Sequence, residues 1–364
     1  MLLLYVFAAV VFLNCSFLFL FSKFSFFRVS EKSTSEHTPI SLLICAKNEA
    51  KNLEKNIPLW LQQDYPDFEI ILINDASSDE TLDVMEQFAN QDSRISIVDV
   101  ENNEAFWGNK KYALTLGIKK AKNERMLFTD ADCRPAGNEW LRSMTSHFSE
   151  EKQLILGYGP YTKKSGLLNK LIRFETLMTA VQYFSYAIAG TPYMGVGRNL
   201  AYTSNLFYST NGFISHMNIA SGDDDLFVNE VATKENTTLC ISENAFTYSE
   251  PKTSLKSWII QKKRHLSTAN KYKFKHQLLL GLFFVSNLFF WGLAMTTLLT
   301  LDWKIPVVLI GIRLLIQWVI IGKSARKLKE RDLIPIVPLL DFFLVFIQLS
   351  IFISNSISKP THWK

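Results

Sequence analysis

The sequence predicts an α/β fold, a mostly parallel sheet with helices on both faces, with transmembrane helices at the N-terminal and C-terminal ends. Three observations lead there. Short apolar runs alternate with helix-like segments between residues 40 and 150. Polar clusters directly follow three of those runs. The remaining apolar residues gather in long, nearly uncharged stretches toward the two ends of the 364-residue chain.

The alternation is read in order. Predicted strands at 40–45, 69–73, 95–98 and 125–128 are followed by predicted helices at 49–62, 79–89, 107–121 and 138–148. In a parallel sheet built this way, ligands sit beyond the carboxyl ends of the strands. The clusters at those ends are therefore informative: Ala46-Lys47-Asn48-Glu49 after the first strand, Asn74 to Asp79 after the second, and Asp130-Ala131-Asp132 after the fourth. Any one of them could be an ordinary turn or helix cap. All three in this order point to one edge of one sheet.

The long apolar stretches read as membrane spans. Residues 1–22 form an anchor helix rather than a cleaved leader: the apolar run is long, no basic residue precedes it, and no small-x-small cleavage site follows. Residues 277–301, 305–321 (with Arg313 in the middle) and 334–357 (interrupted by Asp341) supply three more. Basic residues at 23–32, 262–275 and 323–331 then fall on one side in a four-span layout. The expectation is a multi-pass protein of a bacterial inner membrane, with a linker at 23–39 and a domain at 40–276 facing the cytoplasm. The net charge of +5 is mostly this juxtamembrane excess, which suits the lipid bilayer as partner and leaves no basic stripe for nucleic acid. Cys15, Cys45, Cys133 and Cys240 lack the paired spacing of a zinc site and read as buried apolar residues. Residues 165–190 carry apolar side chains at helical spacing, as a membrane-surface helix or a core helix of the domain.

Several residues are suited to transfer chemistry. Asp130 and Asp132, two apart at a strand end, would point the same way if the chain is still extended, and could hold a hard divalent cation. Glu49 and Asp75 can accept hydrogen bonds from a nucleobase or ribose. Asp79 reads better as a helix cap. Lys110, near a helix start, suits phosphate. Asp223-Asp224-Asp225 sets three carboxylates in a row, where one could act as general base and another could cap the helix beginning near Leu226. In Gln261-Lys262-Lys263-Arg264-His265, Arg264 suits diphosphate, the lysines suit membrane flanking, and His265 suits packing or hydrogen bonding more than proton transfer.

Together, CAKNE (45–49), INDASSDET (73–81), GNKKYAL (108–114), TDADCRP (129–135), GVGRNLAY (195–202), SGDDDLF (221–227) and QKKRH (261–265) resemble the family 2 glycosyltransferases, in the membrane-bound branch. The resemblance covers residues 40 to about 276 and implies a GT-A-type, Rossmann-like fold and an inverting transfer from a nucleotide sugar, a UDP-sugar in preference to a GDP-sugar. It implies that Ala46, Glu49 and Asp75 bind the nucleoside, that Lys110 and Asp130 line the donor site, and that Asp132, with Asp130, holds Mg or Mn. The base would be Asp223 or Asp224, since the third aspartate blurs the register of the family's acidic pair. Gln261 and Arg264 match the family's QxxRW element, with His265 in place of tryptophan. That replacement, and the small number of spans, favour a non-processive enzyme with a lipid-linked or saccharide acceptor over a processive polysaccharide synthase. A catalytically degenerate scaffold would have no need of the acidic clusters, and a nucleotidyltransferase would want a triphosphate loop near the first strand.

Overall fold

The structure is a computed structural model that describes residues 1–28, 38–101, 110–219 and 221–357. The first elements in chain order are α1 (Leu2–Ser25), β1 (Ile40–Ala46), α2 (Ala50–Leu61), β2 (Phe68–Asp75), α3 (Thr81–Gln91), β3 (Ile95–Val100) and α4 (Lys110–Lys120). Next come β4 (Arg125–Asp130), β5 (Cys133–Pro135), α5 (Trp140–Thr145), β6 (Leu154–Leu156), α6 (Leu167–Ile188), β7 (Leu200–Thr203) and α7 (Ser204–Ser209). The chain continues with α8 (Asp225–Val231), β8 (Thr237–Leu239), β9 (Thr247–Ser249), α9 (Leu255–Ala269), α10 (Phe274–Thr300), α11 (Lys304–Lys327) and α12 (Val337–Ile357). These divide into two compact units. A sheet unit comprises the described residues of Val29–Thr162 and Gly190–Pro251, and a helical unit comprises Met1–Arg28, Lys163–Ala189 and the described residues of Lys252–Pro360.

The sheet unit is built on seven strands in the order β3-β2-β1-β4-β7-β6-β8, with β5 and β9 forming a separate pair. Neighbours β3, β2, β1 and β4 are parallel, as the alternating pattern predicts, whereas β7 runs antiparallel between β4 and β6. Every residue of β1 and β2 is buried, the mark of central strands covered on both faces. Their apolar side chains, with Trp60 of α2 and Trp140 of α5, form the core. The predicted helix at 107–121 is seen as α4 from Lys110, and its first residues lie outside the described ones.

In the helical unit, four helices are long and apolar enough to cross a membrane: Leu2–Ser25, Phe274–Thr300, Lys304–Lys327 and Arg331–Asn355. The third exceeds the apolar run at 305–321 because it continues through its basic last turn. The segment at 165–190 is α6, which packs against α1, α11 and α12. It is thus a core helix of this unit and not of the sheet unit. The two charges that interrupt the apolar runs meet in the bundle. The buried Arg313 guanidinium donates to Asn14 Oδ1 (2.8 Å, α1), Asn287 Oδ1 (2.5 Å, α10), Gln317 Oε1 (2.6 Å, α11) and Asp341 Oδ2 (3.0 Å, α12). Asn287 Nδ2 and Trp291 Nε1 donate in turn to Asp341. One cation thereby gathers polar groups from all four helices, the partnering that a buried charge among apolar helices requires.

Candidate active site

The strand register places the tip residues side by side. Cys45 is opposite Asp130 across the β1–β4 pair, and Ala46 is opposite Asn74 across the β1–β2 pair, with Asp75 one residue on. Ala46, Asp75 and Asp130 therefore share one edge of the sheet. The loops that leave β1 and β2 are tied to each other. Asn48 N donates to Ser77 Oγ (3.0 Å), Ser78 N donates to Asn48 Oδ1 (2.8 Å), and Glu49 N donates to Thr81 Oγ1 (2.8 Å). Asn48 and Ala76 both adopt left-handed backbone, φ 56° and 49°. Such strain in non-glycine residues persists where surrounding contacts over-determine it, and gathers at binding sites. Asp75 is 3% exposed, with Lys47 Nζ 3.9 Å away. Asp79, one residue before the N-cap Glu80, accepts from Thr81 N (3.1 Å) at the start of α3.

Asp130 and Asp132 come together by a route the sequence does not indicate. β4 ends at Asp130 and the chain turns through Ala131 and Asp132 before β5, so the extended backbone expected across this pair is absent. The turn still leaves oxygens of both carboxylates and Cys133 Sγ within 4.8 Å of one another. Burial holds the Cys133 thiol well above its usual range, so it stays protonated, in a hydrogen bond with Ser249 Oγ (3.0 Å). Two hard carboxylates with open positions around them fit a divalent cation such as Mg or Mn. Asp132 is open to solvent on one side. Even so, lost hydration within the crevice, then the charges of Asp130 and Glu49, raise its pKa, the state a bound cation would relieve.

Lys110 joins this pair to the acidic run. Its ammonium lies 2.8 Å from Asp130 Oδ1 and 2.9 Å from Asp223 Oδ2. Burial works against its charge, but Asp130 and Asp223 prevail and hold its pKa well above the usual value. The next residue, Lys111, serves the scaffold: its Nζ donates to the carbonyls of His216 (2.7 Å) and Ile219 (2.9 Å), fixing the segment that leads to the acidic run.

The three aspartates have separate environments. Gly222, at φ 99°, turns the chain so that Asp224 becomes the N-cap of α8. Asp224 commits both oxygens to backbone amides, Oδ1 to Asp225 N (2.7 Å) and Oδ2 to Gly197 N (2.6 Å). Burial, then repulsion from Asp223 and Asp225, pushes its pKa up to about 7. Asp225 accepts from Leu226 N (2.8 Å). Asp223 pairs through Oδ2 with Lys110, whose ammonium also holds Asp130, so this carboxylate faces the Asp130 side of the site. The acidic run therefore separates into a helix cap, Asp224, and a carboxylate paired with Lys110, Asp223.

Two residues with no role assigned from sequence, Gly197 and Arg198, also belong here. Their turn precedes β7, inside the GVGRNLAY stretch (195–202), which the resemblance marks without a task for either residue because their anchors are distant in sequence. Gln261 and Arg264 lie in the helical unit on α9, one turn apart, with His265 exposed rather than packed. Lys262, expected only to flank the membrane, pairs with Glu175 at 2.5 Å.

Residues 41–210 match the family described as Glycosyl transferase family 2. Two poly-beta-1,6-N-acetyl-D-glucosamine synthases of Staphylococcus epidermidis are similar: one is 34% identical over 175 residues, covering 47% of this chain and 41% of that one, and the other is 33% identical over 146 residues, covering 39% and 34%. The chain thus spans well under half the length of these relatives. Among solved structures, a mannosyltransferase from Pyrobaculum calidifontis in complex with GDP-Man and Mn2+ has the same fold, with a TM-score of 0.60 at 14% identity, covering 93% of this chain and 98% of that one. The polypeptide therefore carries a glycosyl transferase family 2 domain of GT-A type, on a chain that also has four helices long and apolar enough to span a membrane.

Proposed function

We propose that the protein is an inverting, metal-dependent glycosyltransferase that moves one sugar from a nucleotide-diphosphate sugar to a hydroxyl of a lipid-linked or saccharide acceptor. The observation that carries this reading is the Lys110 bridge, which joins the strand-tip carboxylate Asp130 to the acidic run at Asp223. Donor phosphates and an acceptor base are thereby brought within one side chain of each other.

Each residue then has a task. Ala46, Glu49 and Asp75 line the nucleoside side, where the locked tip loops present a preformed surface. Asp130 and Asp132 would hold the cation, whose charge would neutralise the departing diphosphate. Lys110 adds a fixed positive charge on the same side. Asp223 accepts the acceptor's hydroxyl proton as that oxygen bonds to the anomeric carbon and the bond to the diphosphate oxygen breaks. Asp224 holds the strand-side turn and α8 in register through Gly197. Gln261 and Arg264, matched to the family's element on α9, would act on the diphosphate and acceptor. UDP-sugars are the first donors to try, ahead of GDP-sugars. The basic residues at 23–32, 262–275 and 323–331, which fall on one side of a four-span layout, support a site at the cytoplasmic face of a bacterial inner membrane, where lipid-linked acceptors are available.

The test is hydrolysis and transfer with a panel of UDP- and GDP-sugars, with and without chelator. At least one nucleotide sugar should be consumed, with activity lost on chelation and restored by Mn2+. Failure to bind either UDP or GDP in the presence of Mn2+ would overturn the reading. The names of the staphylococcal relatives favour a processive alternative. Product lengths decide between the two: single additions support the proposal, and long chains from one binding event support the alternative.

A further inference from the structure

We propose that Arg198 is a phosphate-binding residue of this site, its guanidinium taking an anionic phosphoryl oxygen that no protein group replaces. The inference rests on the transferase reading above and assigns it a residue outside the set that the resemblance supplied.

Four observations place it. First, the Arg198 backbone is clamped: its carbonyl accepts from Thr129 Oγ1 (2.9 Å), the residue before Asp130, and from Thr247 Oγ1 (2.8 Å). Second, the guanidinium is stacked over the Tyr161 ring, 4.4 Å from its centroid, which fixes the plane of its fork. Third, Gly159 leaves the room the side chain occupies. A Cβ there would meet Arg198 Cβ at 3.1 Å and Nε at 3.4 Å. Fourth, one terminal nitrogen, Nη1, is buried without a hydrogen-bond partner, and among the described residues no carboxylate lies within ion-pairing distance of the group.

A protein does not ordinarily fix a guanidinium so carefully and leave a buried N–H unsatisfied, because the lost hydration is not recovered. The Arg198 backbone is tied to Thr129, the residue before Asp130, and its charge acts on Asp132, one of the carboxylates proposed to hold the cation. Its neighbour Gly197 holds Asp224. A planar fork held between these two sides suits the paired oxygens of a phosphate. Two sources share that chemistry: the diphosphate of the donor, and a phosphate on a lipid-linked acceptor.

The experiment uses the full chain in detergent and calorimetric binding of two probes, UDP with Mn2+ and farnesyl phosphate, to wild type and to Arg198→Gln, Arg198→Lys and Gly159→Ala. Arg198→Gln should weaken one probe by about tenfold or more, the loss expected for one charge-assisted hydrogen bond. Loss with UDP assigns the donor diphosphate, and loss with farnesyl phosphate assigns the acceptor. Arg198→Lys should fall between wild type and the glutamine variant. Gly159→Ala, which displaces the guanidinium but keeps its charge, should weaken the same probe. Wild-type affinity for both probes in Arg198→Gln overturns the inference, including the case where only the unfolding temperature drops. If wild type itself binds neither UDP nor GDP with Mn2+, the transferase reading fails, and this inference with it.

Discussion

Replacing Asp223 by asparagine should separate chemistry from architecture in the acidic run. The side chain keeps its shape but loses the ability to take a proton, while Asp224 remains to cap α8. A positioned general base contributes about 10²- to 10⁴-fold, so the rate of donor consumption should fall by that factor, equivalent to about 3–5 kcal/mol of barrier. Affinity for UDP with Mn2+ should change much less, because Asp130 and Asp132 are untouched. Asp224→Asn should behave in the opposite way. Asparagine can accept from only one of the two amides now held by Asp224, those of Asp225 and Gly197, and leaves the other facing an NH₂ group. A lost cap costs about 1–2 kcal/mol of stability. The assays are initial rates of nucleotide release from the best donor in the panel and thermal unfolding of the same preparations. A larger rate loss in Asp224→Asn than in Asp223→Asn, at an unchanged unfolding temperature, would refute the division of roles.

Other perturbations probe the remaining parts. Asp132→Ala should abolish the Mn2+ dependence of nucleotide binding, measured by calorimetry; binding that still responds to chelator would remove Asp132 from the cation site. The raised pKa of Asp224, about 7 against an ordinary 3.8, means that the folded form holds an extra proton between those values. Stability of the chelated protein should therefore decline as pH rises from about 4 through 7, by up to about 1.4 kcal/mol per unit, and the slope should flatten in Asp224→Asn. Unfolding curves across that range, with Asp223, Asp225, Lys110 and the Gly197 amide intact around the group, check the sign. In the helical bundle, Arg313→Leu should cost about 3–5 kcal/mol, because Asp341 is left buried without its cation. Adding Asp341→Leu should restore much of that loss, so the double variant should be far less damaged than the sum of the singles.

The parallel half of the sheet was readable because each strand is a short apolar run ended by a polar cluster, and because parallel order forces the tips of β1, β2 and β4 to one edge. Ala46, Asp75 and Asp130 follow from that rule alone. The other half was not readable. β6, β7 and β8 are three or four residues long, and β7 runs against β4. Its pairing of Arg125 with Thr203, and that of Cys133 with Ser249 in the second sheet, spans so much sequence that no periodic signal survives. The same distance concealed the task of Arg198, whose stretch 195–202 was marked but whose anchors, Thr129 and Thr247, lie on opposite sides of it in the chain. Three adjacent aspartates looked interchangeable in one dimension. The positive φ at Gly222, the amides of Gly197 and Asp225 on Asp224, and the Lys110 ammonium on Asp223 distinguish the cap from its neighbour. Asp130 and Asp132 do approach each other, but by a turn and not by the alternation of a strand.

The Arg313 cluster bears on biogenesis. During synthesis, Asn14 and Asn287 emerge before the arginine, but Asp341 follows it by 28 residues. If the four helices cross a bilayer as proposed, a chain stalled between α11 and α12 would present a cation to lipid with only neutral amides to shield it. Insertion of the third span should be held in an unsettled, reversible state until the fourth arrives, and then lock. A ribosome-bound series arrested at successive lengths would show that transition as an abrupt gain in resistance of α11 to alkaline extraction once residue 341 has entered.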